Sequence, residues 1–184
     1  MDLDAVSAER LKGVYPDLAV RWRRVAEDMW GAHRRALRVS EGIRSLEAQA
    51  ALYAKGRTTP GAIVTYSKPG ESFHHYGLAL DSCFLGADPF LEKEPRAELY
   101  WREYGRFATA HGLTWGGGWS RFVDRPHVQL AYGLTLTQIK EIYSYKGLDS
   151  VWAKCDQMRG VDVGTDWKPA VCRPISLTTK SISS

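Results

Sequence analysis

The chain has 184 residues, 44% of them apolar and 25% charged, and its 25 lysines and arginines against 21 acidic residues give a formal net charge of +4. One domain of ordinary size fits that length, and the apolar share supports a packed core, which excludes disordered, collagen-like and disulfide-scaffold classes. No apolar run approaches the ~18 residues of a membrane-spanning helix, so no membrane insertion is expected.

The segment from Met1 to Arg10 is acidic and broken by charge, unlike a secretory signal peptide. Pro16 to about His33 reads as a helix, with Leu18, Trp22, Val25 and Met29 recurring on one face. Six arginines between Arg21 and Arg38 read as a solvated face, and no nucleic-acid motif accompanies them. Ala36 to Ile43 alternates as a short strand. Ser45 then caps a helix through Lys55, with Gly56 as its stop. A loop rich in Thr, Pro, Gly and Ser runs from Arg57 to Ser72.

Gly77 to Phe84 reads as a strand, and Pro95 to His111 as a helix with Tyr100, Tyr104, Phe107, Ala108 and His111 on one face. His33 and His111 suit helix ends rather than ligand positions. His127 to Tyr132 is a further strand. Thr135 and Gln138 form a capping box, with Leu134 and Ile139 as its staple, opening a helix that stops at Gly147. The expected architecture is α+β: one domain, with a small, mostly antiparallel sheet flanked by helices. Residues 1–147 are expected to be the functional domain, and 148–184 an extension packed on it whose last ~10 residues fray. Trp152 and Trp167 hint at a binding or lid element there, against plain helix packing. Cys155 and Cys172 could pair, but three cysteines without a CxxC favour reduced thiols.

The informative stretch is Ser72-Phe-His-His-Tyr-Gly-Leu-Ala-Leu-Asp81. On a strand from Gly77, Asp81 shares its face only with Gly77 and Ala79, which leaves room for a metal and a substrate. His74, before the glycine, reaches the same side through a bend; His75 is its alternative on spacing alone. Laid antiparallel to this strand, His127-Val-Gln129 puts His127 near Asp81, with Gln129 on the same face. His74, Asp81 and His127 would be three ligands with one open position, as in a catalytic zinc site. Asp124, three residues upstream of His127, can approach the open side and take a proton there.

Ser72-x-His74-x-x-Gly77-x-Ala79-x-Asp81 resembles the SxHxxGxAxD signature of the LAS-type zinc peptidases. That group includes D-Ala-D-Ala carboxypeptidases, L-alanyl-D-glutamate endopeptidases of bacteria and phages, and the hedgehog domain. Glu41-Gly-Ile-Arg44-Ser-Leu-Glu-Ala-Gln49 resembles the upstream block of the family, with Ile43 in place of the usual aromatic. Trp115-Gly-Gly-Gly-Trp119 through Asp124-x-Pro-His127-x-Gln129 resembles the closing one. The resemblance implies one Zn2+ per chain on His74, Asp81 and His127, Asp124 as general base, and Arg44 steadying the substrate carbonyl or its oxyanion, against a structural ion pair. It also implies supporting roles for Ser72 and Gln49, with Trp119 walling the cleft beside Gln129. Asp124 in place of the carboxypeptidases' glutamate favours the endopeptidases that cut L-Ala–D-Glu. A D-Ala-D-Ala carboxypeptidase is the alternative, and a non-catalytic zinc-bearing wall-binding or signalling domain the different class. The expected partner is bacterial peptidoglycan, met by a monomer made in the cytoplasm and released by a phage-lysin-like route.

Overall fold

The computed structural model describes residues 2–162. Helix α1, Ala5–Arg10, has no counterpart in the sequence reading because its signal is one cap: the Asp4 carboxylate accepts from the Ser7 hydroxyl at 2.6 Å and from its backbone N–H. After it comes α2, Pro16–His33, with the bounds and the buried stripe expected. Leu18, Trp22, Val25 and Met29 are all fully buried. Strand β1 is Leu37–Glu41, and α3, Leu46–Ala54, is capped by Ser45. Strand β2 is Ala79–Phe84, and α4 is Ala97–Ala110. Two short strands, β3 at Thr114–Trp115 and β4 at His127–Gln129, complete the sheet. The last strand stops earlier than expected because Tyr132 and Gly133 turn the chain at φ 48° and 77°. Helix α5, Leu136–Asp162, is broken at Gly147, where φ is 72°. Thr135 and Gln138 make the reciprocal capping bonds that open it.

The sheet has the order β1-β2-β4-β3 and every pairing is antiparallel, so the fold is α+β. Alternation sends Leu80 and Val128 toward the core shared with α2 and α4, and Asp81 and His127 to the opposite face. Behind Asp81, Ser82 is fully buried, accepting from the Trp22 indole at 2.8 Å and bonding the Tyr104 hydroxyl at 2.8 Å. The functional strand is therefore anchored to both helices through its next residue. At the sheet edge, α1 covers β1: the Ser7 hydroxyl accepts from Val39 N–H and Arg10 donates to the Val39 carbonyl at 2.7 Å. Those bonds satisfy backbone groups that an open edge would leave exposed.

On α4, Glu103 is buried, clasped by Arg106 at 2.9 and 3.0 Å and met by His33 at 3.1 Å. The Arg106 guanidinium, and then His33, holds this carboxyl below its usual range against the opposing effect of burial. A depressed folded-state value means stability that is present above the unfolded pKa and lost as pH falls through the folded one. Glu103→Gln is expected to cost about 1–3 kcal/mol at pH 7. In urea titrations the gap to the wild type should close as pH drops below about 4.5; a gap independent of pH would refute the ion-pair origin.

Candidate metal centre and cleft

The residues singled out in the Ser72–Asp81 stretch occupy a turn followed by a strand, and each small position has a steric reason. Ser72 caps the turn Phe73–Tyr76, its hydroxyl accepting from His74 N–H at 3.4 Å. Gly77 ends the turn at φ 64°, and a Cβ there would lie 2.6 Å from the Gly13 carbonyl oxygen, so only glycine fits. Ala79 is fully buried in β2, and Asp81 follows two residues on with its carboxylate on the sheet's open face. Register does the rest: Asp81 pairs with His127 across β2 and β4.

The ligand-type atoms of His74, Asp81 and His127 lie within 4.8 Å of one another. His74 Nε2 is 3.2 Å from His127 Nδ1 and 3.3 Å from the Asp81 carboxylate, which is 3.1 Å from His127 Nδ1. Outer partners orient both rings. His74 Nδ1 faces the Gly42 carbonyl at 2.8 Å, and His127 Nε2 faces Gln129 Oε1 at 3.1 Å. A carbonyl only accepts, so the protons sit on those outer nitrogens and the inner two present lone pairs to each other and to a carboxylate. Three electron-rich atoms converging in a buried spot could hold a cation between them. That donor set fits a metal ion, and its imidazole–carboxylate chemistry suits zinc among others.

The ionisation preferences express the same demand. Burial pushes the Asp81 carboxyl up, but His127 and His74 beside it outweigh that and hold it well below the usual carboxylate range. Burial opposes charging of His127, yet Asp81 beside it raises its pKa. His75, the alternative ligand on spacing, does not face the cluster. Its Nδ1 meets the Arg44 carbonyl at 2.8 Å and its Nε2 accepts from Gly70 N–H at 3.0 Å, so both nitrogens are spent on fastening loops.

Arg44 has a structural and a site-facing side at once. A bulge between Val39 and Glu41 brings Glu41 opposite Asp81, two carboxylates that would repel. The Arg44 guanidinium forks onto Glu41 with its Nε at 2.6 Å, donates to the Gln49 amide oxygen at 2.8 Å, and reaches Asp81 at 3.3 Å. Gln49, fully buried, donates in turn to the Ser67 carbonyl at 2.7 Å and so ties the 57–72 loop to the site. The sequence reading gave Glu41 no role; the acidic residue three positions before Arg44 was the available signal.

A cleft of about 900 Å3 opens over this face, with Arg44, Asp81, Trp119, Asp124 and both histidines in its lining. The Trp119 ring stands 5.1 Å from that of His127. Gly116 lets the opposite wall come close: a Cβ there would lie 2.7 Å from the Asp124 carbonyl and 3.1 Å from His127 Cβ. Asp124 donates its N–H to the Gly116 carbonyl at 3.0 Å, while its carboxylate has no hydrogen-bond partner among the described residues. Burial, and next the Asp81 charge, raise the Asp124 pKa. Sequence reasoning missed the aromatic mouth: Tyr66 and Phe122, from two different loops, meet edge to face at 5.4 Å.

Residues 65–130, which hold this cluster, match the family model of M15 peptidases described as D-alanyl-D-alanine carboxypeptidase. Over this segment, about a third of its length, the chain resembles the LAS-type (M15) peptidases. Among proteins similar to this chain is the peptidoglycan L-alanyl-D-glutamate endopeptidase CwlK of Bacillus subtilis, 39% identical over 98 residues. That match covers 50% of this chain and 59% of CwlK, so the chain spans less than two thirds of that relative. Among solved structures, the L-Ala D-Glu endopeptidase ChiX of Serratia marcescens is 28% identical, with 70% of this chain and 88% of that one covered and a TM-score of 0.47. DacB of Streptococcus pneumoniae is 22% identical over 73% of this chain and 77% of its own, with a TM-score of 0.48. Helix α5 lies wholly beyond the segment matched by the family model.

Proposed function

We propose that this chain is a zinc-dependent peptidase that hydrolyses peptidoglycan stem peptides at the L-Ala–D-Glu amide. The observation that carries the reading is the convergence of His74 Nε2, His127 Nδ1 and the Asp81 carboxylate beside an uncommitted Asp124 in an open cleft. In the proposed assignment His74, Asp81 and His127 hold the metal, which supplies Lewis-acid polarisation of the scissile carbonyl and of water. Asp124 accepts the proton of the attacking water and passes it to the leaving amine. The rise in its pKa on burial makes it a stronger base than a solvated carboxylate. Arg44, fixed by Glu41 and Gln49, offers a preorganised positive charge to the developing oxyanion. Trp119 walls the cleft and Gln129 keeps His127 in the required tautomer.

The choice of bond rests on the likeness to CwlK and on Asp124 at the base position. The alternative, removal of terminal D-Ala, draws on the description of the family model. Mass spectra of digested peptidoglycan, with and without a chelator, separate the two. Stem peptides beginning with D-Glu, with L-Ala left on the glycan, are expected, and chelator should abolish them. Free D-Ala as the only product would overturn the choice of bond. No product from zinc-loaded protein on any wall type would replace the enzyme reading with that of a binding domain.

A further inference from the structure

The turn that carries His74 is held from behind by a helix that the family match does not include. Its local backbone bonds are His75 N–H to Ser72, Gly77 N–H to His74 and Leu78 N–H to Phe73, at 3.1, 3.3 and 3.1 Å, and from farther along the chain Arg44 N–H donates to the His74 carbonyl at 3.2 Å, while none of these reaches the Tyr76 carbonyl. A turn this short leaves its last carbonyls without internal partners. The Tyr76 carbonyl finds one in the Trp152 indole N–H, at 2.8 Å and across 76 residues of sequence. The Trp152 ring also closes over Gly77, where a Cβ would lie 3.0 Å from its Cζ2, and tilts against Tyr15 at 6.1 Å. Tyr15 holds the other side, its N–H donating to the Gly77 carbonyl and its hydroxyl to Asp156 at 2.6 Å. Asp156 is one helical turn beyond Trp152, and Val151 and Cys155, each one residue before an anchor, are fully buried. The Tyr143 ring, from the half of α5 before Gly147, packs edge-on to Tyr76 at 5.3 Å.

We propose that Trp152 is a positioning residue for the metal centre: its indole N–H pins the exit of the 73–77 turn and so aims His74 Nε2 at His127 and Asp81. The inference rests on the reading of those three residues as zinc ligands. A ring displaced by a few tenths of an ångström costs metal affinity, because the other two ligands sit on paired strands and cannot follow it. Residues 148–162 then serve the site from below, while Trp167 and the rest of the extension lie outside the described residues. Linkage makes the effect reciprocal, so zinc binding strengthens the indole bond by the factor with which that bond strengthens zinc binding.

The test uses the full chain and a chromophoric chelator competing for zinc. Trp152→Phe keeps an aromatic ring against Tyr15 and removes only the donor; its zinc Kd is expected to rise about tenfold, the lower end for loss of an outer partner of a metal ligand. Tyr15→Phe is the control. It loses the bond to Asp156 in the same interface, so its Tm should fall while its zinc Kd stays at the wild-type value. On the wild-type chain, hydrogen exchange of the Trp152 indole N–H should slow when zinc is added, a reading that needs no variant to fold. An unshifted Kd in Trp152→Phe, an equal rise in Tyr15→Phe, or indole exchange indifferent to zinc would each overturn the positioning role alone. A wild-type chain that binds no zinc would overturn the ligand assignment with it.

Discussion

Asp124→Ala is expected to lower turnover on peptidoglycan by roughly 10²–10⁴-fold, the usual contribution of a general base, with zinc content and fold retained. The Asp124 carboxylate has no hydrogen-bond partner among the described residues, so its removal orphans no buried donor and should leave stability near that of the wild type. Its pKa is raised by burial and then by Asp81, so the group resists ionising where it stands and gains by accepting a proton during the reaction. In the proposed assignment the role does not depend on holding the metal, because among the described residues the group that could hold one is His74, Asp81 and His127. Metal analysis and steady-state kinetics on one preparation decide the matter. An Asp124→Ala protein that comes off the column without zinc would make Asp124 a ligand.

His127→Ala should lose the metal altogether, and activity with it. Removing one of three ligands costs more than the roughly 10–100-fold that follows from losing an outer hydrogen-bond partner. Without the ring, Asp81 keeps His74 and Arg44 as partners, so the fold has the means to survive. The clearest readout is thermal. Zinc at 100 times its Kd stabilises the native state by about 2.7 kcal/mol. The wild type should therefore show a Tm that climbs with added zinc, and His127→Ala a flat one. Full zinc occupancy in the variant would remove His127 from the site.

Many features of the chain could be read in advance because the forces behind them are local. The bounds of α2 follow from Pro16 in the first turn and an apolar stripe at helical spacing. The opening of α5 follows from the Thr135–Gln138 box, and its break from Gly147. The spacing from Ser72 to Asp81 encodes a cap, a left-handed stop and a cleared strand face within ten residues. Two features were too small to leave a periodic trace: α1, six residues long, and β3, two residues long.

What the linear order does not contain is which distant groups meet. His74 and His75 are adjacent and chemically identical, and neither spacing nor periodicity separates them. The Gly42 carbonyl turns one toward the cluster, while Arg44 and Gly70 fasten the other to the loops. Arg44 gains its place from a bulge that sets Glu41 against Asp81, an outcome of pairing register rather than of residue type. Tyr66 and Phe122 meet across the cleft mouth from loops more than fifty residues apart, and Trp152 reaches the Tyr76 carbonyl from farther still. Caps, stops and stripes act over one or two turns of chain and can be read along it. Ring tautomers, paired charges and the hold on the His74 turn exist only once packing has fixed which backbone groups face which side chains.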